Sequence, residues 1–154
     1  MAKEIERKFL IDLDKLGTLE NGTFIKQAYI ATPDKTTVRL RLKGEDAYLT
    51  LKGANKGISR TEFEYAIPPE DAKAIMAELC TGPAIEKTRY LIEQGVHTWE
   101  VDIFYGDNDG LVVAEIELSS EDESFDKPDW VLEEVSGDPK YYNSSLLNNP
   151  FNKW

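Results

Sequence analysis

Along nine segments of this chain the side chains change character at every second residue, so each backbone stretch carries two unlike faces. A period of two marks β-strands, because successive Cβ atoms leave opposite sides of the pleat. The segments are 3–11, 24–31, 37–43, 47–53, 60–67, 86–93, 97–105, 111–118 and 130–135. Turn formers separate them: Asn21-Gly22, Thr32-Pro33-Asp34, Gly44-Glu45-Asp46, Gly53 to Gly57, Gln94-Gly95 and Gly106 to Gly110. Several of these connections are short enough for antiparallel hairpins.

One helix is predicted, opened by Pro68-Pro69-Glu70-Asp71 and closed by Thr81-Gly82-Pro83. Ala72, Ile75, Met76 and Leu79 follow helical spacing and form an apolar stripe to lay on the sheet. Cys80, at the edge of that stripe, reads as a small, half-buried hydrophobe. Segment 122–129 is read as a short turn or helix. The tail from Asp138 to Trp154, rich in Tyr, Leu and Phe, is read as a packed closing segment. With no repeat, low-complexity tract or linker, residues 1–154 read as a single domain.

The faces of the strands are unusual in their charge. Glu4, Glu6 and Lys8 alternate with Ile5, Arg7 and Phe9, and Arg39, Arg41 and Lys43 alternate with Val38, Leu40 and Leu42. Lys52 follows Leu49 and Leu51, Glu62 and Glu64 flank Phe63, and Lys87 and Arg89 flank Thr88. Glu100 and Asp102 alternate with Val101 and Ile103, as Glu115 and Glu117 do with Ile116 and Leu118. Two readings fit. One is an ordinary half-buried sheet with a solvated charged face. The other is a barrel of about eight strands, just wide enough to enclose one small ligand, with its charges turned inward. Same-sign pairs two residues apart favour the second, since like charges on one face repel unless a ligand lies between them. The outer apolar face would then be covered by the helix and the aromatic tail.

Composition narrows the chemistry. A formal net charge of −11 argues against nucleic acid and anionic membranes as partners, and no apolar run is long enough to span a bilayer. The N-terminus, Met1-Ala2-Lys3-Glu4, lacks the apolar core of a signal peptide. One cysteine precludes an intramolecular disulfide, which together with the missing signal suggests a cytoplasmic protein. The single histidine, His97, beside a hairpin turn, is read as a surface residue, so a Ser-His-Asp triad is not expected. Zinc-ligand spacing is impossible with one Cys and one His. Gly53-Ala54-Asn55-Lys56-Gly57 lacks the ending of a P-loop and reads as a turn. Trp99, Trp130 and Trp154 are read as packing residues.

Clustered carboxylates suit hard cations such as Mg²⁺ or Mn²⁺, and arginine pairs suit phosphate oxygens. Both sets in one cavity specify a polyanion carried with metal, of which triphosphate is the smallest common example. Lys8 beside Tyr29 would be placed to act on the attacking water.

Read in order, "KEIERKFLI" with Glu4-Ile5-Glu6-Arg7-Lys8 as ExExK, "QAYI", "VRLRLK", "LTLK", "RTEFEY", "EKTRY", "WEVDIF" and "VAEIEL" resemble the CYTH family, the triphosphate tunnel metalloenzymes. Tyr142, Asn143 and Leu147 resemble its closing segment. The resemblance implies an α+β, mainly β fold: a closed eight-stranded antiparallel barrel forming a tunnel, with helices packed on its outside. It implies metal positions at Glu4, Glu6, Glu115 and Glu117, with Glu62, Glu64 and Asp102 as further acidic members. It implies a triphosphate cradle of Lys8, Arg39, Arg41, Lys52, Lys87 and Arg89, and a catalytic role for Lys8 with Tyr29. The implied activity is metal-dependent hydrolysis of inorganic triphosphate, extending to nucleoside triphosphates. Class IV-type adenylyl cyclase, thiamine triphosphatase and a non-catalytic polyphosphate-binding module are the alternatives. A homodimer is the default oligomer.

Overall fold

A computed structural model describes residues 3–154; Met1 and Ala2 of the N-terminal run lie outside the described residues. All nine predicted strands form: β1 (Lys3–Ile11), β2 (Thr23–Ile30), β3 (Thr37–Lys43), β4 (Asp46–Lys52), β5 (Ser59–Ala66), β6 (Thr81–Gln94), β7 (His97–Phe104), β8 (Val112–Glu117) and β9 (Val131–Glu134). They hydrogen-bond in the order β5-β4-β3-β2-β6-β7-β8-β1. The circle closes where β5 returns to β1 through Lys3↔Thr61, Glu4↔Arg60 and Ile5↔Ser59. The result is the predicted closed eight-stranded antiparallel barrel, with β9 added beside the second half of β1. Closure matters because it leaves one set of alternate side chains no direction but inward.

Two helices accompany the barrel. The short α1 (Leu13–Leu16), absent from the sequence reading, is capped by the Asp12 side chain, which accepts from the backbone N–H groups of Asp14 and Lys15. Helix α2 (Pro69–Glu78) packs on β3 and β4, with Ala72 fully buried and Ile75 and Met76 partly so. Leu79, predicted as part of the buried stripe, is 58% exposed, because the helix ends before it. Thr81-Gly82-Pro83 does not simply close the helix but begins β6, where Thr81 already pairs with Tyr29. Proline cannot serve a regular ladder, and the register shift between Gln27 and Tyr29, with Gly82 at φ +74°, accommodates it.

The two apolar cores lie on different sides of the wall. Outside β1, β7 and β8, the connection before β9 lays Phe125 and Trp130 over Phe9, Trp99 and Ile116. Phe9, Trp99, Phe125 and Trp130 meet edge to face, with Trp99 5.6 Å from Phe9 and 5.5 Å from Trp130. Segment 122–129 therefore forms no regular helix, yet it is the lid of this core. The second core is inside the barrel: Tyr29, Ile85, Phe104, Leu111 and Val113 enclose Leu146 of the tail. The tail, predicted on the outer face, runs instead through three short 3₁₀ turns across one end of the barrel. Its placement follows from volume, since inward apolar side chains of an eight-stranded barrel need filling. Of the tryptophans, Trp99 and Trp130 are buried, while Trp154 is 39% exposed and packs on Tyr141 and Phe151.

Along the inward rows of β1, β6 and β8 the character changes from charged to apolar: Glu4, Glu6 and Lys8 give way to Leu10, Arg89 and Lys87 to Ile85, and Glu117 and Glu115 to Val113. The apolar end is the plug, and the charged end is a cavity. Among the described residues no helix is long and apolar enough to cross a membrane.

Candidate active site

The cavity has a volume of ≈ 250 Å³ and is lined by every residue predicted for the site except Asp102. Its basic wall comes from β2, β3 and β6. Arg39 and Arg41 project from β3, with Tyr29 opposite Arg39 and Gln27 opposite Arg41 on β2. Both nitrogens of one Arg41 edge, Nε and Nη2, donate to Gln27 Oε1 at 2.9 and 2.7 Å. Arg39 donates to Thr50 Oγ1 at 3.2 Å and approaches Glu64 at 3.5 Å, while its Nε has no hydrogen-bond partner. The guanidinium therefore keeps unused donor capacity.

On β6, Lys87 and Arg89 share one counter-ion. Asp102, wholly buried on β7, accepts from Arg89 at 2.8 and 2.9 Å and pairs with Lys87 at 2.7 Å. Burial alone would raise the Asp102 carboxyl, but the two cations hold it below the usual range. Burial, with Arg89 and Arg41 beside it, pushes Lys87 down to about 7 against the pull of Asp102. Asp102 thus stands among the cations rather than among the carboxylates with which the sequence grouped it.

The acidic wall comes from β1, β5 and β8. Cross-strand register sets Glu6 opposite Glu117 and Lys8 opposite Glu115. Lys52 of β4 lies between Glu4 and Glu62, at 3.1 and 3.2 Å. Desolvation, reinforced by Glu62 and Glu115, raises Glu4 to about 7 despite Lys52. Burial and the neighbouring Glu115 and Glu4 raise Glu6 well above the ordinary value. Glu115, buried too, is held low by Lys8 and by the hydrogen bond from Glu6. Glu6 and Glu115 thus push each other in opposite directions, Glu6 up and Glu115 down.

Among the described residues no three Asp, Glu, His or Cys side chains converge closely enough to hold a metal ion as they stand. Lys8 and Lys52 stand among them. The donor set nevertheless fits a hard divalent cation, since it is all carboxylate oxygen.

Lys8 and Tyr29 line the same cavity but are not bonded to each other. Lys8 Nζ donates to the Tyr141 carbonyl at 3.0 Å and lies 3.8 Å from Glu115, whereas Tyr29 Oη accepts from Gln27 Nε2 at 2.8 Å. Glu64 sits at the rim, with its side chain 42% exposed. His97, read as a surface residue, is half-buried and bonded to Glu123.

Several lining residues escaped the sequence reading. Arg60 and Glu100 stand in register with residues it did choose, at two-residue spacing from Glu62 and Asp102, so the signal was present. Gln27 was visible only as a letter in "QAYI". Asn143 reaches Lys87 and Gln27 from the tail, at 3.0 and 2.9 Å, a contact no local pattern announces.

The profile of the CYTH domain family matches residues 2–142. A protein of Acetivibrio thermocellus named inorganic triphosphatase is 48% identical over 151 residues, covering 98% of this chain and 97% of its own. Another of that name, from Nitrosomonas europaea, is 36% identical over 148 residues, 93% of this chain and 95% of its own. A crystal structure of an inorganic triphosphatase superposes with a TM-score of 0.66 at 33% identity, over 96% of this chain and 95% of the other. A profile spanning most of the barrel, and relatives aligned nearly end to end with it, agree with the ordered strand motifs and the cavity they build: this chain belongs to the CYTH family.

Proposed function

We propose that the chain hydrolyses the terminal phosphoanhydride bond of inorganic triphosphate with the help of a divalent cation. The observation that carries this reading is a single enclosed cavity in which Arg39, Arg41, Lys87 and Arg89 face Glu4, Glu6, Glu115 and Glu117. The relatives named inorganic triphosphatase support the same substrate. Four inward cations in so small a volume require a ligand with several anionic oxygens in a line.

Water attacks the terminal phosphorus, its P–O–P bridge breaks toward the remaining pyrophosphate, and one proton is released. Such a reaction needs mainly positioning and charge stabilisation. Arg39 and Arg41 hold the phosphate oxygens, and Lys87 and Arg89 extend the cradle. Glu4, Glu6, Glu115 and Glu117 would hold Mg²⁺ or Mn²⁺, with Glu62 beside them, and a cation there would supply positive charge against the phosphoryl oxygens and the leaving group. Asp102 acts as counter-ion to the cradle, and Glu64 and Lys52 as the rim. Lys8 and Tyr29 orient the attacking water, Tyr29 with its proton free because its oxygen accepts from Gln27.

Nucleoside triphosphates would leave their base with little to pack on, since the lining carries two aliphatic side chains, Ile58 and Val135, and two tyrosines, Tyr29 bonded to Gln27 and Tyr142 to Asn55. A cyclase needs more apolar surface than that. The test is product analysis with Mg²⁺ or Mn²⁺. Phosphate release from triphosphate, abolished by EDTA and faster than from ATP, is expected; cyclic AMP from ATP, or binding with no turnover, would overturn the reading.

A further inference from the structure

The two arginines at the centre of the basic wall are held in different ways. Arg89 is bound by carboxylates on both sides, with Asp102 at 2.8 Å and Glu100 at 3.1 Å. Arg41, equally buried, has a neutral partner instead: the amide of Gln27. The first arrangement cancels charge where it is formed. The second fixes a guanidinium in place and leaves its charge unspent.

Gln27 is wholly buried, and each hydrogen-bonding position of its amide is used. Its oxygen accepts twice from Arg41, which settles which end of the amide is oxygen, because a guanidinium can only donate. Its nitrogen then donates to Tyr29 Oη at 2.8 Å and to Asn143 Oδ1 at 2.9 Å. Asn143 Oδ1 in turn accepts from Lys87, so one amide connects Arg41, Tyr29 and, through the tail, Lys87. A buried side chain with four hydrogen bonds to three partners has no freedom to turn.

We propose that Gln27 is a positioning residue of this site, orienting Arg41 and the Tyr29 hydroxyl toward the substrate while leaving the charge of Arg41 uncancelled. The inference rests on the triphosphatase reading. It explains why the position opposite Arg41 carries an amide, whereas the position opposite Arg89 carries the carboxylate Asp102. A carboxylate at 27 would grip Arg41 at least as firmly but would take the charge that the phosphates need. It would also have no proton to give Tyr29 or Asn143.

Gln27→Glu is the decisive variant, being of the same size and able to pair with Arg41. It should fold, with some loss of thermal stability from the missing donations to Tyr29 and Asn143, yet show a KM for inorganic triphosphate raised by about tenfold or more. Gln27→Met, isosteric but without hydrogen bonds, should lower kcat through Tyr29 and raise KM through Arg41. In a cycle with Arg41→Ala the two KM effects should fall well short of adding, because both act on one guanidinium. A purely structural glutamine would show stability loss with KM unchanged, and additive KM effects in the cycle. If Gln27→Glu folds and keeps the wild-type KM, or if the cycle is additive, the proposal fails. Should one variant not fold, the other carries the test. The wild-type chain run alongside separates the two ideas: no turnover of triphosphate at all would overturn the triphosphatase reading itself, before any variant is compared.

Discussion

On the basic wall Arg39, Arg41, Lys87 and Arg89 each have a fixed partner, whether carboxylate, amide or hydroxyl; on the acidic wall Glu4 and Glu6 are pushed above the ordinary carboxylate range by burial and by neighbouring carboxylates. Both walls are buried in the same barrel and made by the same strand alternation. The difference lies in what completes them. Asp102, Gln27, Thr50 and Asn143 complete the basic wall from within the chain, so it is formed before any ligand arrives. Lys8 and Lys52 pair with the acidic wall, yet Glu4 and Glu6 remain raised. On the function proposed above, the substrate side is preorganised and the metal side would be completed by a bound cation.

The largest effect should come from withholding what the acidic wall lacks. Chelation with EDTA should abolish triphosphate hydrolysis, by at least about a hundredfold, and added Mg²⁺ or Mn²⁺ should restore it. Full activity in EDTA would mean that the lysines alone complete that wall.

Breaking the basic wall from behind is the next test. Asp102→Asn leaves Lys87 and Arg89 buried without their shared charge and should cost about 3–5 kcal/mol of stability, read as a fall in denaturation midpoint. An unchanged midpoint would show that water or Glu100 takes over. Arg41→Ala, from the front, should lower kcat/KM by a factor corresponding to about 1.5–3 kcal/mol while leaving the melting temperature much less changed than Asp102→Asn does. Glu117→Gln, at the exposed end of the acidic wall, should weaken the dependence on metal concentration more than it weakens binding of triphosphate.

The smallest effect sharpens the comparison by pH. Glu4 is raised from 4.5 to about 7, so the folded chain binds its proton more tightly than the unfolded chain does. Its contribution to stability is full below about pH 4.5 and is lost as pH rises through about 7. Melting temperature measured for wild type minus Glu4→Gln should therefore fall between pH 5 and pH 8, and saturating divalent cation should reduce that fall. A flat difference would place the Glu4 pKa near its ordinary value.

Strand positions were legible because period two is written residue by residue, and β1 and β3 are found at 3–11 and 37–43 as read. The inward sense of the charged faces was legible only as a choice between two readings, decided by the β1–β5 pairing that closes the barrel. Leu79 was misplaced because helical spacing says which residues share a face but not where the helix loses its support. Asp102 was grouped with the acids because alternation records sign, not neighbours; the register that sets it opposite Arg89 is a property of the β6–β7 pairing.

By itself the sequence determined the strands, the two kinds of face on each, and the stock of carboxylates and cations available to a polyanion and its metal. These follow from local geometry, in which each side chain's direction depends on its own backbone. The tertiary structure decided which carboxylate is paired with buried cations, which arginine faces an amide instead of a carboxylate, and that the tail fills the barrel's end instead of covering its wall. Those are distances between residues far apart in the chain, such as the 116 positions separating Gln27 from Asn143, and only barrel closure and side-chain packing set them.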